Sequence, residues 1–289
     1  MPSPKRAVLI AGPTASGKSA LALKIACEEG GVVINADAMQ VYGDLRILTA
    51  RPSLADEAAV PHRLYGHVDG ADSYSVARWL GDARREMRAA WAFDRVAIIV
   101  GGTGLYFRAL EQGLADIPAI PDAVRRKWRE WQGDLHAELL TRDPQAAARL
   151  KPGDRQRLMR ALEVVEATGK PLGAWQTAAA SSAVLAGATV RRLAVEADRA
   201  LLHARADARL AEMFDSGAAE EVRSLAARRL DPALPVMKAI GVPELASHLR
   251  GEISLAEALA AAQTATRQYI KRQFTWSRNQ MADWESVLQ

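Results

Sequence analysis

The 289-residue sequence predicts an α/β fold: a core of parallel β-strands with a helical domain inserted into it. Two observations carry this prediction. Short apolar runs alternate with helical patterns in the first part of the chain, and a long middle segment has helical patterns but no convincing strand. Alternating strands and helices imply parallel strands joined by right-handed crossovers. A further apolar run after the middle segment is expected to return as a strand.

Four apolar runs are predicted as strands. A strand buried on both faces of a sheet reads as a continuous apolar run, and such runs cover residues 7–11, 32–34, 96–100 and 190–196. Between the second and third runs, apolar residues recur at helical spacing and include Trp79 and Met87, which we expect in the core. Ligands bind beyond the carboxyl ends of the strands in such sheets.

The residue pattern changes after Gly113. Residues 114–189 carry many charged helical turns and end in the small-residue segment 178–189. We therefore predict a core made of residues 1–113 and 190–289, with a helical insertion at 114–189. Three tryptophans of the insertion could stack on bases or fill a small core, and the core interpretation is favoured: Trp128, Trp131 and Trp175.

Composition excludes several classes of protein. Apolar residues make up 49% and charged residues 25%, as in ordinary globular proteins. No apolar run approaches the roughly 18–20 residues that cross a bilayer, and the N-terminus lacks the pattern of a signal peptide. We expect a cytoplasmic monomer with no membrane partner. The single cysteine, Cys27, excludes an intrachain disulfide and a cysteine zinc site; it is predicted to be buried on a helix.

Basic residues are concentrated in two segments, although the net charge is only +4. No acidic residue occurs between Ala258 and Ala282, and a second basic run spans Arg149–Arg160. Such clusters suit a polyanionic partner because they displace its counterions, but charge alone favours a solvated helix face. Three aromatic residues of the first segment could stack on bases or pack in the core: Tyr269, Phe274 and Trp276.

A phosphate-binding loop is predicted at Gly12–Ser19. The pattern Gly12-x-x-x-x-Gly17-Lys18-Ser19 follows an apolar run and precedes a helix, as in a P-loop. Backbone N–H groups and the helix N-terminus can surround a phosphate, Lys18 adds a positive charge, and Ser19 can bind Mg²⁺. The predicted fold class is therefore a P-loop NTPase-like parallel sheet core with an inserted helical domain. A plain strand–turn–helix connection is the alternative.

The loop does not specify which phosphate compound binds. Many P-loop enzymes have a second strand that ends in a magnesium-binding Asp, but here the run 96–100 continues as Gly101-Gly102-Thr103. The nearest acid at a strand end is Asp37, which could serve as a metal ligand, a general base or a helix cap. On the residues alone, a small-molecule phosphotransferase and a nucleic-acid-binding NTPase remain open.

Six motifs in one order resemble a known family. They are Gly12–Ser19, Asn35–Tyr42, Thr49–Pro52, Val100–Tyr106, Asp154–Val164 and Thr264–Trp276. Together they resemble the bacterial tRNA dimethylallyltransferases, also called tRNA isopentenyltransferases. The resemblance implies transfer of a dimethylallyl group from dimethylallyl diphosphate to N6 of adenosine 37 in the tRNA anticodon loop, with Mg²⁺ as cofactor.

The resemblance also implies roles for individual residues. Asp37 would be the general base, and Thr103 would contact an oxygen of the departing diphosphate. The diphosphate or nucleotide site would comprise Gly12, Pro13, Thr14, Ala15, Ser16, Gly17, Lys18 and Ser19, with Arg205 or Arg209 added and Ser19 as the metal ligand. Contacts to tRNA are implied for Asp37, Ala38, Met39, Gln40, Thr103, Arg125, Gln156, Arg157, Leu158, Met159, Arg160, Lys238, Ala239, Ile240, Gly241, Val242 and Pro243.

The sequence departs from the family pattern at two places. The family usually has serine where Ala38 stands, and Ile-Gly-Tyr-Lys-Glu where this chain reads Ile240-Gly-Val-Pro-Glu244. Both departures concern the proposed tRNA contacts, and neither alters the diphosphate machinery.

Overall fold

The computed structural model describes residues 4–178 and 184–288. The chain divides into two compact units, and each has its own hydrophobic core. The core unit consists of Met1–Ala109 and Leu185–Gln289, and the helical unit consists of Leu110–Val184. The predicted insertion at 114–189 overlaps the helical unit. Its small-residue end, 178–189, lies partly outside the described residues.

The core unit is built on a six-stranded parallel sheet. Its strands are Arg6–Ala11 (β1), Val32–Asn35 (β2), His62–Arg63 (β3), Ala97–Gly101 (β4), Thr189–Glu196 (β5) and Glu285–Leu288 (β6). The order across the sheet is β3-β2-β4-β1-β5-β6. The four predicted strands are confirmed as β1, β2, β4 and β5. The short edge strands β3 and β6 were not predicted.

The helices of the core unit follow the strands or close the chain. They are Lys18–Glu29 (α1), Leu54–Ala59 (α2), Val76–Ala92 (α3), Gly104–Gln112 (α4), which runs into the helical unit, then Arg199–Asp215 (α10), Ala218–Ala227 (α11), Val242–Leu249 (α12) and Leu255–Gln280 (α13). A 3₁₀ turn at Val236–Lys238 precedes α12. As predicted, Trp79 and Met87 of α3 are fully buried. Apolar residues of α1 pack on the central strands in one cluster.

The prediction that Cys27 is buried is wrong, because its side chain is exposed. The buried residues of α1 are Ala22, Ile25 and Ala26. Successive residues of an α-helix are rotated by about 100°, so Cys27 lies on the side of α1 opposite this apolar stripe.

The helix α13 is 26 residues long and begins at a capping box, in which Ser254 and Glu257 satisfy each other's backbone N–H groups. Its buried positions recur every three or four residues, from Ala258 through Thr266 to Gln273. Two of them are polar, Thr266 and Gln273. Among the described residues, no helix combines the length and apolar composition that a membrane crossing requires.

The helical unit contains Asp122–Glu130 (α5), Leu135–Arg142 (α6), Pro144–Arg149 (α7), Arg155–Thr168 (α8) and Leu172–Ala178 (α9), and no strand among its described residues. Trp128 is fully buried at the centre of its core, with Trp131 packed beside it. The core interpretation is thereby confirmed for these two tryptophans. The Trp175 indole donates a hydrogen bond to the Thr168 hydroxyl at 3.3 Å.

One predicted tRNA contact belongs to this core instead. Leu158 of α8 is only 1% exposed and packs with Trp128. Its side chain therefore stabilises the helical unit and is not available to a nucleic acid. The neighbouring residues Gln156, Arg157 and Arg160 are exposed, and Met159 is half-buried.

Candidate active site

The predicted phosphate loop closes tightly between β1 and α1. Gly17 takes a left-handed φ of 83° just before the helix, a conformation that glycine adopts at little cost. A Cβ at Gly12 would lie 2.8 Å from Ser16 Oγ and 2.9 Å from the Val195 carbonyl oxygen. The backbone of the loop therefore packs against both its own turn and β5, with no room for a side chain at Gly12.

The polar groups of this loop are prepared for an anion. Ser16 is fully buried and its hydroxyl has no hydrogen-bond partner among the described residues. A buried polar group without a partner is costly, so a bound phosphate oxygen would relieve that cost. The Lys18 ammonium donates to the Pro13 carbonyl at 3.2 Å. Burial lowers the pKa of Lys18 to about 8, although the charge of Asp37 opposes the shift.

Asp37 follows β2 and is held by a buried amide. The Asn35 side chain accepts from the Asp37 N–H at 2.9 Å and donates to the carbonyls of Asp37 and Leu64, both at 3.0 Å. Asp37 Oδ1 accepts from the backbone N–H groups of Met39 at 2.9 Å and Gln40 at 3.4 Å. Oδ1 therefore closes a short turn after β2, and the helix-cap alternative is wrong because the next helix begins only at Leu54. The structure gives no hydrogen bond to Oδ2 among the described residues.

Thr103 follows β4 and is tied to the Asp37 segment. Its backbone N–H donates to the Ala36 carbonyl at 3.2 Å, and its hydroxyl accepts from the Ala38 N–H at 3.0 Å. The Tyr269 hydroxyl interacts with Thr103 and Gln273. Burial, reinforced by the charge of Asp37, raises the pKa of Tyr269 well above its usual range, so its phenol stays protonated.

The three segments line one cavity of about 390 Å³ within the core unit. Thr14, Asp37 and Thr103, which follow β1, β2 and β4, contribute to its wall. This convergence follows from parallel strands, whose carboxyl ends lie at the same edge of the sheet. The rest of the wall comes from the loop 48–50, from α10, from the 3₁₀ turn and from α13.

The structure separates the two candidate arginines of α10. Arg209 lines the cavity, whereas Arg205, one helical turn earlier, is exposed and outside the wall. Burial lowers the pKa of Arg209, against the opposing charges of Asp37 and Glu212. The charge of Asp37 acts on both Lys18 and Arg209, and the charge of Arg209 acts on Lys18. Two cationic side chains therefore lie near one carboxylate.

Of the predicted tRNA segment that follows β2, Ala38 and Met39 line the cavity. Gln40 has a different task, because its amide donates to the carbonyls of Thr49 and Ala50 at 2.8 and 2.9 Å. Those two residues are part of the cavity wall. Gln40 therefore fixes the wall, and only its amide oxygen is left for a partner.

The segment 238–243, which was predicted to contact tRNA, also contains both cavity-lining residues and a buried residue. Lys238, Ala239 and Ile240 line the cavity. Val242 is only 1% exposed, so its side chain serves packing. Val242 and Pro243 open α12, after Gly241 with its φ of 97°. A proline in the first turn of a helix costs no hydrogen bond, which explains why the Val-Pro departure is tolerated.

In the helical unit, the basic residues predicted to contact tRNA are on the surface. Arg125 of α5 is exposed. Arg157 pairs with Asp154 at 3.4 Å, and Arg160 pairs with Glu163 at 3.5 Å. Exposed pairs of this kind contribute little to stability, so these arginines are free to exchange partners.

Two protein-family models match the chain: IPP transferase over residues 40–280, and isopentenyl transferase over residues 5–68. The chain belongs to the IPP transferase family. It is 58% identical to the tRNA dimethylallyltransferase of Methylobacterium nodulans, over 96% of this chain and 94% of that protein. It is also 58% identical to the tRNA dimethylallyltransferase of Azorhizobium caulinodans, over 96% and 90%.

Solved structures of IPP transferases share the fold. The tRNA isopentenylpyrophosphate transferase of Bacillus halodurans is 30% identical, with a TM-score of 0.70 over 98% of this chain and 90% of that one. A eukaryotic dimethylallyltransferase acting on tRNA is 26% identical, with a TM-score of 0.84 over 98% of this chain and 74% of that one. The family resemblance and the predicted fold class are confirmed.

Sequence reasoning missed two residues of this IPP transferase site, and the first is Gln273. Gln273 of α13 is 7% exposed. Its Oε1 accepts from the Thr14 N–H at 2.9 Å, and its Nε2 donates to the Gly102 carbonyl at 3.1 Å. A glutamine within a helix carries no chemical signature of its own. The available signal was its place in the Thr264–Trp276 motif, four residues after Tyr269.

A second missed residue, Glu221 of α11, shapes the cavity wall. Its carboxylate accepts from the consecutive backbone N–H groups of Arg46, Ile47 and Leu48, at 2.7, 2.7 and 3.1 Å. Leu48 lines the cavity. The contact spans 173 or more residues of sequence, so no local pattern could have indicated it.

The side chains at this site suit a Mg²⁺ ion that is held mainly by the phosphates of a bound compound and by water. In the described part of the chain, no three or more His, Cys, Asp or Glu side chains form a group that could hold a metal ion. Mg²⁺ usually keeps several waters and binds through one or two protein oxygens and substrate phosphates. The exposed Ser19 hydroxyl, at the start of α1, fits such an arrangement.

Proposed function

We propose that this protein transfers a dimethylallyl group from dimethylallyl diphosphate to N6 of adenosine 37 in tRNAs. The products are N6-dimethylallyladenosine and diphosphate. The observation that carries the proposal is one cavity lined by the Asp37 carboxylate, the Thr103 hydroxyl and Arg209, with the phosphate loop at its edge. A general base and a site for an anionic leaving group are the two devices that this reaction needs.

The phosphate loop and its neighbours would hold the leaving group. The C–O bond of an allylic diphosphate breaks more easily when the negative charge that develops on oxygen is stabilised. Lys18, Arg209 and the buried Ser16 hydroxyl supply positive charge and a hydrogen-bond donor. Mg²⁺, when bound through Ser19, supplies further neutralisation of the diphosphate. The Thr103 hydroxyl would donate a hydrogen bond to a diphosphate oxygen.

Asp37 would accept the proton of the nucleophile. The adenine amine attacks C1 of the dimethylallyl group, so the N6–C1 bond forms as the C1–O bond breaks. The electron pair of the broken bond stays on the diphosphate, and the amine proton passes to the carboxylate. Since Oδ1 already accepts two backbone hydrogen bonds, Oδ2 is the oxygen proposed to take this proton.

The substrate adenosine has to leave its stack to reach the cavity. Unstacking costs less in a single-stranded loop than in a duplex, which suits an anticodon loop. Besides Asp37 and Thr103 in the cavity, the residues proposed to contact tRNA are those that the structure leaves partly or fully exposed: Ala38, Met39, Gln40, Arg125, Gln156, Arg157, Met159, Arg160, Lys238, Ile240 and Pro243. The proposed enzyme is a monomer located in the cytoplasm. Sedimentation would test the oligomeric state, and cell fractionation would test the location.

A direct assay tests the proposal. Purified protein is incubated with dimethylallyl diphosphate, Mg²⁺ and unmodified tRNA, and the digested tRNA is analysed for N6-dimethylallyladenosine. The matched control is the same tRNA with guanosine at position 37, which should give no product. Absence of product from the adenosine tRNA, with a related enzyme active in parallel, would falsify the proposal.

The two other functions left open by the residues make a different prediction. A phosphotransferase or an NTPase should be stabilised against heat by ATP. The proposed prenyltransferase should be stabilised by dimethylallyl diphosphate with Mg²⁺. Comparing the two shifts in Tm on one sample separates these functions.

A further inference from the structure

One face of α13 contacts the loops that follow both β1 and β4. Tyr269, Gln273 and Trp276 are four and three residues apart and therefore share a face of the helix. Tyr269 interacts with Thr103. The Trp276 ring covers Gly104 so closely that a Cβ there would lie 2.2 Å from it. We call these three residues the docking face of α13.

Gln273 is the member of the docking face that joins the two loops. Its amide oxygen accepts from the Thr14 N–H within the phosphate loop, and its amide nitrogen donates to the Gly102 carbonyl after β4. A Cβ at Gly102 would lie 2.2 Å from that nitrogen, so the chain passes directly over the amide. A single side chain thus links two loops that are separated in sequence.

We propose that Gln273 is a positioning residue for the diphosphate: it holds the phosphate loop at the distance from Thr103 at which both can contact one leaving group. This inference rests on the proposed function. Thr14 and Thr103 both line the cavity, and they come from the two loops that Gln273 joins. An alteration of their spacing would weaken contacts to the diphosphate and leave the tRNA surface of the helical unit unchanged.

The burial of Gln273 supports a role beyond filling space. An apolar side chain would occupy this position without the cost of removing an amide from water. A buried amide with both ends hydrogen-bonded fixes its partners in one arrangement. Displacements of about 1 Å at a reacting group can reduce the rate by about 100-fold, so a fixed spacing of the two loops has catalytic value.

The test compares two glutamines of the same helix. Gln273→Met keeps the length of the side chain and removes both hydrogen bonds. The matched control is Gln263→Met, which removes the single hydrogen bond from Gln263 Nε2 to the Asp207 carbonyl, 3.3 Å long, outside the docking face. Three quantities are measured for each variant: KM for dimethylallyl diphosphate, Kd for inorganic diphosphate with Mg²⁺, and Kd for unmodified tRNA.

The expected result is selective. Gln273→Met raises KM for dimethylallyl diphosphate and Kd for inorganic diphosphate by about 10-fold or more, and leaves Kd for tRNA unchanged. Gln263→Met changes none of the three. A folded Gln273→Met protein with wild-type KM and wild-type diphosphate Kd overturns the inference.

A second variant, Gln273→Glu, keeps the inference testable if Gln273→Met does not fold. Gln273→Glu keeps an acceptor for the Thr14 N–H, loses the donor to Gly102 and adds a negative charge near the diphosphate. It should weaken diphosphate binding as well, and wild-type binding by this variant overturns the inference. Inactive wild-type protein contradicts the proposed function instead, whereas active wild-type protein with unaffected Gln273 variants contradicts only this inference.

Discussion

The hydroxyl of Thr103 accepts a hydrogen bond from the backbone N–H of Ala38, with 3.0 Å between Oγ1 and N. The residue after Asp37 is thereby tied to the loop after β4. Because the contact uses the main chain of Ala38, alanine in place of the usual serine does not remove it. A hydroxyl that accepts one hydrogen bond can still donate another, so the Thr103 hydroxyl remains able to donate a hydrogen bond to a leaving group.

Replacement of Asp37 tests the general base. Asp37→Ala should reduce the rate of transfer by about 10²–10⁴-fold, the usual contribution of such a group, and leave tRNA affinity nearly unchanged. Nucleoside analysis gives the rate, and filter binding gives the affinity. The exposed Asp283 provides a control through Asp283→Ala, which should behave as wild type. Normal activity of Asp37→Ala would show that another group accepts the proton.

Arg205 and Arg209, which lie one helical turn apart on α10, provide a test of the diphosphate site. Arg209→Gln should raise KM for dimethylallyl diphosphate by about 10-fold to 100-fold, since hydrogen bonds to charged groups contribute ~1.5–3 kcal/mol. Arg205→Gln, one helical turn away on the surface, should leave this KM unchanged. Initial rates at saturating tRNA measure both. Equal effects of the two changes would contradict the assignment of Arg209.

Surface arginines of the helical unit test the interaction with tRNA. The double change Arg157→Gln with Arg160→Gln should weaken tRNA binding and lower the salt dependence of its affinity by roughly 0.7 for each phosphate that the protein no longer neutralises. Kd for inorganic diphosphate should stay constant. Titrations at several salt concentrations measure the slope, with the exposed Arg88→Gln of α3 as control. An unchanged slope would place the tRNA elsewhere.

His67 provides a prediction for pH. Burial lowers the pKa of His67 below its ordinary value, although Asp82 opposes the shift. The unfolded chain therefore binds a proton at a higher pH than the folded protein does, and stability falls as the pH drops through the histidine range. Replacing His67 with Gln should reduce this loss.

Urea denaturation at pH 7.5 and 5.5 measures the effect. The wild-type midpoint should fall more between the two values than the His67→Gln midpoint does. Equal falls would show that His67 does not contribute to the acid sensitivity.

The strands and the phosphate loop could be predicted because their signals are local. Central parallel strands must be apolar on both faces, so β1, β2, β4 and β5 read directly from the chain. The edge strands differ: β3 has only two residues, and β6 is mostly exposed. Edge strands with little burial need no apolar run, and their pairing is decided by the rest of the fold.

The cavity could be predicted only in part. Thr14, Asp37 and Thr103 follow strands whose order implies that their ends meet. Gln273 lies 171 residues from its partner Gly102, and its contact depends on how α13 docks. Arg205 and Arg209 lie one turn apart on nearly the same face of α10, so the choice between them depends on which turns of the helix reach the cavity, and the sequence does not specify this.

The exposed thiol of Cys27 has a practical consequence. It is the single cysteine of the chain, so a maleimide dye would attach at one known position without prior mutagenesis. Cys27 lies nine residues after Lys18 on the same helix, about 14 Å along its axis at 1.5 Å per residue. A fluorophore there would label the helix that begins at the phosphate loop without any change to the sequence.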